Sequence, residues 1–285
     1  IDDLSAGEIE RLDDKILFTR GDINDRPKLW TLLQDVECVY HLAARVSVPQ
    51  SVLYPREYNA VNVGGTVSVM EAMRDAGVKR VVIASSGAVY GEQSIQPLNE
   101  HMVPNPDSPY AVSKLSAEYY VRTIGTLWGL ETVALRIFNT YGPFMDPDDG
   151  RVVSNFIVQA LKGDSLTVYG DGSQTRSFCY IDDLVDGLIR LLQSDYRRPV
   201  NLGNPDEYKI LEIAKNHDIM IIIGSFTILG PFFKEDFTGK FNITIVCYII
   251  ASTYTFLATN PDCRYLFYCI FLFKRSYCSF NIKLV

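Results

Sequence analysis

Nowhere in this 285-residue chain does a run of Lys or Arg exceed two, and 34 acidic residues against 27 basic ones leave a net charge of −7. Such a chain lacks the basic face that grips a nucleic-acid backbone, so no nucleic acid is expected as a partner. A small dianionic ligand stays open, because one or two placed Arg side chains hold a diphosphate. Cysteine is sparse, and its six positions (38, 179, 247, 263, 269 and 278) match no zinc spacing. No metal is expected, and Cys38 and Cys179 read as small buried hydrophobes of a reducing compartment, the cytoplasm. The chain opens on Ile1-Asp2-Asp3 without a Met or an apolar leader, which reads as a chain truncated at its front and without a signal peptide. A full membrane span is missing too. The longest uncharged apolar run, Ile243 to Ala258, has 16 residues, short of the roughly 20 that cross a bilayer.

What is present falls into two unlike regions. Residues 1–215 alternate strand-like apolar runs with amphipathic stretches, whereas 40 of the 70 residues from 216 onward are apolar with no helical period. Three readings of that tail stand: a membrane-spanning segment, a packed subdomain of unusual composition, or translation of a frameshift or intron. Its Phe/Ile/Tyr/Lys/Asn bias favours the last. In the first region, Lys15 to Phe18 predicts a short strand, Pro27 to Leu33 a helix, and Val36 to Leu42 a strand. Val61 to Ala76 predicts a helix closed by Gly77. Val78 to Ala84 has the β-branched density of a strand buried on both faces. Ser108-Pro109 is an N-cap and first-turn pair for a helix running to Trp128, and Thr132 to Ile137 is a further strand. Strands alternating with helices predict an α/β fold, a doubly wound parallel sheet whose ligands sit beyond the carboxyl ends of the strands.

Chemistry concentrates there. Tyr110 and Lys114 are four apart on a predicted helix and share a face. An ammonium near a phenol favours the phenolate and lowers its pKa from about 10, which equips it to take a proton from a hydroxyl. The buried strand Val81 to Ser86 delivers two hydroxyls at its carboxyl end, 24 residues before Tyr110. Asp182-Asp183 reads as a helix-capping pair and His41 as structural.

Taken together, Tyr40-His41-Leu42-Ala43-Ala44, Asn62-Val63-Gly64-Gly65-Thr66, Ser85-Ser86-Gly87-Ala88-Val89-Tyr90-Gly91, Ser108-Pro109-Tyr110-Ala111-Val112-Ser113-Lys114, Leu135-Arg136-Ile137-Phe138-Asn139, Tyr141-Gly142-Pro143 and Tyr169-Gly170-Asp171-Gly172-Ser173-Gln174-Thr175-Arg176 carry a resemblance. Residues 1–215 resemble the extended short-chain dehydrogenase/reductase family of NAD-dependent sugar epimerases, decarboxylases and dehydratases. The resemblance implies a Rossmann-like sheet lacking its first strand and Gly-rich turn, a truncated substrate domain, NAD as cofactor and a UDP-sugar as substrate. It divides the chain into residues 1–143, 144–215 and 216–285. It implies a catalytic set of Ser86, Tyr110 and Lys114. Asp2 matches the acid that holds the adenosine ribose, Asp22 and Ile23 the pair flanking adenine, and Leu42, Ala43 and Ala44 the loop beside the cofactor phosphates. Asn62 and Ser85, with Tyr110 and Lys114, complete the implied cofactor contacts. Ser86, Asn139, Asn155, Tyr169 and Arg176 are the implied substrate contacts, with Arg176 on the diphosphate. A homodimer is implied as well.

The implied reactions diverge after a shared oxidation at sugar C4. Relatives that eliminate water, similar to dTDP-glucose 4,6-dehydratase, carry Asp-Glu where this chain has Gly87 and Ala88, and UDP-glucuronate decarboxylases carry Glu at the position of Ala88. A 4-epimerase needs neither acid, so the expected activity is 4-epimerisation of a UDP-hexose. Gly150 to Ile157, Leu166 to Gly170 and Asn201 to Pro205 are most similar to the decarboxylases and keep that activity as the alternative. The missing turn keeps a third reading open, an inactive fragment or pseudoenzyme of the family.

Overall fold

Asp25 starts the first helix: its carboxylate accepts the Lys28 backbone N–H at 3.1 Å, and Pro27 occupies the first turn, where no N–H is needed. The computed structural model describes residues 1–215 and 282–284. In chain order its elements are α1 (Arg26–Leu32), β1 (Cys38–His41), α2 (Val48–Leu53), α3 (Pro55–Tyr58), a π-helical stretch (Asn59–Gly65), α4 (Thr66–Ala76), β2 (Arg80–Ser86), a 3-10 turn (Gly87–Tyr90), α5 (Pro109–Trp128) and β3 (Glu131–Ile137). There follow β4 (Thr140–Tyr141), α6 (Val152–Lys162), β5 (Leu166–Val168), β6 (Thr175–Ser177), β7 (Cys179–Tyr180), α7 (Ile181–Gln193), β8 (Val200–Leu202), β9 (Glu207–Lys209), α8 (Ile210–Lys215) and β10 (Ile282–Leu284). Two units emerge, Ile1–Phe138 with Asp183–Gly203, and Asn139–Asp182 with Asn204–Val285.

The first unit holds the expected parallel sheet, in the order β1-β2-β3-β8. Every neighbour pair is parallel, with Cys38 opposite Arg80, Ser86 opposite Ile137, and Ile137 opposite Leu202. Helices bridge successive strands, as parallel pairing requires. Val81, Val82 and Ile83 are at most 2% exposed, so β2 is covered on both faces as its β-branched run predicts. Met70 and Met73 of α4 fill the space beneath it with Val69 and Leu29. Arg80 reaches from the start of β2 to the end of α7. Its guanidinium donates to the carbonyls of Leu191 (2.9 Å), Leu192 (2.6 Å) and Ser194, satisfying acceptors that a helix C-terminus leaves unpaired.

The second unit is built from short pairs: β4 with β7 and β5 with β10, both parallel, and β6 with β9, antiparallel. Phe156, Ile157, Leu166, Val168, Phe178 and Ile213 form its core.

Three expectations change. Lys15 to Phe18 is not a strand; the segment makes only an isolated bridge between Asp2 and Arg20, and a lone bridge supplies no ladder to extend it. The helix expected from Val61 begins earlier, as a π-helical stretch in which Ile23 packs against Gly65; a Cβ on Gly65 would lie 2.3 Å from the Ile23 side chain. Cys179 is buried, but Cys38, which opens the edge strand, is only half-buried. Asp182 and Asp183 fall inside the first turn of α7, where carboxylates favour the helix dipole. The readings of the tail and its four Cys lie outside the described residues. Among the described residues no helix is long and apolar enough to cross a membrane, and no cluster of three His, Cys, Asp or Glu could hold a metal ion.

Candidate active site

Ser86 ends β2 in an extended conformation, and its Oγ accepts the Ala88 N–H at 3.1 Å, which caps the turn Gly87–Tyr90. Gly87 packs tightly on Phe138: a Cβ would stand 3.0 Å from the ring, which would have to give by a few tenths of an ångström. Gly91 closes the turn at φ +58, with the Asn105 carbonyl where a Cβ would be, so only glycine fits. Helix α5 starts as its sequence predicts: the Ser108 Oγ accepts the Ala111 N–H at 3.3 Å, and Pro109 stands in its first turn. The helix places Tyr110 and Lys114 one turn apart, both buried. The Tyr110 ring stands edge-on to Tyr58 at 6.5 Å.

Lys114 reaches across to β2, where its Nζ donates to the Ala84 carbonyl at 2.9 Å, two residues before Ser86. Burial pushes the Lys114 ammonium down to about 8. His41, at the end of β1, is pushed down to about 4 by burial and by repulsion from Lys114. Its tautomer follows from proton counting. The single Thr66 hydroxyl proton goes to the Asn62 carbonyl at 2.6 Å, so His41 Nε2, 2.9 Å from the Thr66 Oγ1, must donate. His41 is therefore a neutral structural donor, as the sequence reading expects.

That state has a measurable consequence. The folded pKa lies below the unfolded 6.5, so as pH falls the unfolded chain takes up the proton first. Stability present above pH 6.5 is lost on the way down to about pH 4, a loss of about 3 kcal/mol for this one group. Denaturant titrations across that window should show a shallower acid limb for His41→Asn than for the wild type; equal slopes would refute the assignment.

Asn62 serves the loop after β1. Its Oδ1 accepts the Arg45 N–H at 2.8 Å, and its Nδ2 donates to the Arg45 carbonyl at 3.0 Å and to the Ser113 Oγ at 2.9 Å. Leu42, Ala43 and Ala44 lie just before this clip, Leu42 exposed and the two Ala half-buried. Asp2 is exposed, and its carboxylate accepts the Leu4 N–H at 2.7 Å; Asp22 accepts the Asn24 N–H at 2.8 Å. The Ile23 side chain is core. The carboxylates and the small, uncrowded loop at the carboxyl end of β1, together with the Tyr110–Lys114 pair, fit a dinucleotide with ribose hydroxyls to bind and a reactive ring to serve. The Gly-rich turn for its pyrophosphate is not in this sequence.

The implied substrate contacts other than Ser86 lie in the second unit. Asn139 Nδ2 donates to the Ser177 carbonyl at 3.1 Å, and Arg176, exposed on β6, donates to the Thr175 carbonyl at 2.7 Å. Asn155 is half-buried on α6, and Tyr169 is exposed.

Sequence reasoning missed a buried charged group. Ser85, expected at the cofactor, donates its hydroxyl to Glu118 Oε1 at 2.5 Å. Glu118 also receives Arg136 through two hydrogen bonds of 3.0 and 2.8 Å, and both side chains are 5% exposed. Arg136 Nη1 donates to the Tyr90 hydroxyl at 2.8 Å, which donates to Asn201 Oδ1 at 2.7 Å. The available signal was periodicity: Glu118 lies four residues past Lys114 and eight past Tyr110, on the same face of α5.

A parallel sheet with a Ser at one strand end and a Tyr-x-x-x-Lys helix against it defines a short-chain dehydrogenase/reductase. The sequence model of the NAD dependent epimerase/dehydratase family matches residues 1–203, and the chain belongs to that family. It is 44% identical over 186 residues to UDP-glucuronic acid decarboxylase 1 of Danio rerio, covering 64% of this chain and 44% of that one. Among solved structures it is similar to UDP-glucose 4-epimerase of Thermotoga maritima (30% identity, TM-score 0.74, covering 79% of this chain and 74% of that one). It is also similar to UDP-glucuronic acid 4-epimerase of Bacillus cereus, solved with UDP-glucuronic acid and NAD (35% identity, TM-score 0.65, covering 71% and 64%). The chain spans about half the length of the curated relatives it matches. NAD, the expected cofactor, is the one named for the family and present in the Bacillus cereus structure.

Proposed function

We propose that the chain is a 4-epimerase of a UDP-sugar. The observation that carries this reading is the absence of a carboxylate after Ser86: Gly87 and Ala88 offer none. Tyr110 takes the proton of the sugar C4 hydroxyl as that carbon is oxidised, and returns it when the opposite face is reduced. Ser86 orients the same hydroxyl. Lys114 supplies positive charge beside the phenol, so that the proton leaves near neutral pH. Asp2, Asp22, the Leu42–Ala44 loop and the Tyr110–Lys114 pair would hold NAD, which when bound would supply the hydride acceptor and donor for the sugar C4. Asn139, Asn155, Tyr169 and Arg176 hold the nucleotide sugar, Arg176 through its diphosphate.

The 44% identity to a UDP-glucuronic acid decarboxylase favours a second reading, decarboxylation of UDP-glucuronate. UDP-glucuronate separates the two, because its 4-keto form is a β-keto acid that can either lose CO2 or be reduced again. Epimerisation gives UDP-galacturonate without gas, and UDP-glucose gives UDP-galactose. Release of CO2 with UDP-xylose as the main product would replace the first reading with the second. Denatured protein should release close to one NAD per chain.

A further inference from the structure

The Glu118–Arg136 pair touches every element that carries the catalytic side chains. Ser85, Arg136 and Asn201 face one another in register across β2, β3 and β8, one row behind Ser86, Ile137 and Leu202. Glu118 joins that row from α5, and Lys114 joins α5 to the Ala84 carbonyl one turn earlier. The helix of Tyr110 is thus pegged to β2 at two successive turns. The turn bearing Ser86 is anchored at both ends to the same pair. Ser85, just before it, bonds Glu118, and Tyr90, at its far end, accepts from Arg136 with its ring 4.8 Å from the guanidinium. Asn201 adds a third strand: its backbone N–H donates to the Glu100 carboxylate at 2.8 Å. Among the described residues no buried side-chain N or O is left without a partner, so the network is closed.

A closed, charge-assisted network of planar groups has few alternative geometries. An apolar core would hold the same elements together while allowing small slides. Here a slide of α5 along β2 breaks several bonds at once. From this we infer that Glu118 and Arg136 are positioning residues, which set the Ser86 hydroxyl relative to Tyr110 and Lys114. The inference rests on the proposed reaction for its kinetic test, and on the fold alone for its second test.

Ser85→Ala and Tyr90→Phe each delete one hydroxyl at either end of the turn and leave the buried ion pair in place, so the chain keeps its fold. Positional errors of about 1 Å cost on the order of 100-fold in rate. Each variant should therefore lose about 10- to 100-fold in kcat, with KM within about twofold of wild type. Val69→Ala, in the core beneath the sheet, serves as a control of similar thermal destabilisation and should keep its kcat. The second readout needs no turnover. NMR titration of 13C-labelled Lys114 should move from about 8 toward the ordinary 10.5 in both variants as the peg loosens and water enters. Unchanged kcat and unchanged Lys114 titration in folded Ser85→Ala and Tyr90→Phe would overturn the inference. If the wild type turns over no UDP-sugar, the proposed reaction fails, and the Lys114 titration alone decides this inference.

Discussion

Tyr110→Phe is expected to lower turnover of a UDP-sugar by 10²- to 10⁴-fold, the range that a positioned proton-transfer group contributes. The substitution removes one oxygen and keeps the ring. The edge-on packing on Tyr58 at 6.5 Å survives, as does the turn of α5 that starts at Ser108. Stability should change by less than about 1.5 kcal/mol. KM for the sugar nucleotide should hold, because its diphosphate is assigned to Arg176 and its other contacts to Asn139, Asn155 and Tyr169. The released NAD on denaturation should also match the wild type. The measurement is therefore a split: kcat collapses while KM, cofactor content and melting temperature stay. A variant retaining a tenth or more of the wild-type kcat would remove Tyr110 from the proton-transfer role and, with it, the main argument for the mechanism.

The legible parts of this chain are those where one local rule acts alone. Ser108-Pro109 starts α5, Gly77 ends α4 in the left-handed conformation, and the β-branched density of β2 marks its burial on both faces. Tyr110 and Lys114 could be placed on one helix face from spacing alone. Tertiary partners decided the rest. Lys15 to Phe18 has the residues of a strand and lacks a ladder to join. Ser85 looked like a second hydroxyl for the cofactor, but adjacent residues on a strand point to opposite faces, and its side chain turns to Glu118. The Glu118–Arg136 pair was hidden because a charged residue on a helix is usually solvated. Its burial becomes visible only once the register of β2, β3 and β8 aligns Ser85, Arg136 and Asn201. The domain division shows the same limit: β8, late in the sequence, belongs to the first unit's sheet.

Lys114→Met should abolish activity and stabilise the fold. Lys114 is buried, and its Nζ has the Ala84 carbonyl as its hydrogen-bond acceptor. Burial lowers its pKa from 10.5 to about 8, which corresponds to about 3 kcal/mol held against the charged form. Methionine has nearly the same length and flexibility, so it fills the space without a cavity. The Ala84 carbonyl loses a donor, an opposing cost of about 1 kcal/mol. The net expectation at pH 7 is a gain of about 1–2 kcal/mol, read from denaturant midpoints at unchanged m-value. The pH dependence gives the sign check. Below pH 8 the lysine is charged in both states and the penalty is complete. Between about 8 and 10.5 the folded chain has lost the proton while the unfolded chain still holds it, so wild-type stability rises relative to the variant. The gain from Lys114→Met should therefore be largest near neutrality, fall to zero by about pH 9 to 9.5, and reverse by about 1 kcal/mol toward pH 10.5, where only the lost hydrogen bond remains. A variant less stable than wild type at pH 7 would mean that the ammonium is solvated or better paired than its burial implies. A stabilised, inactive variant would fit the proposed role of Lys114, an ammonium kept at the expense of the fold to serve the proposed proton transfer at Tyr110.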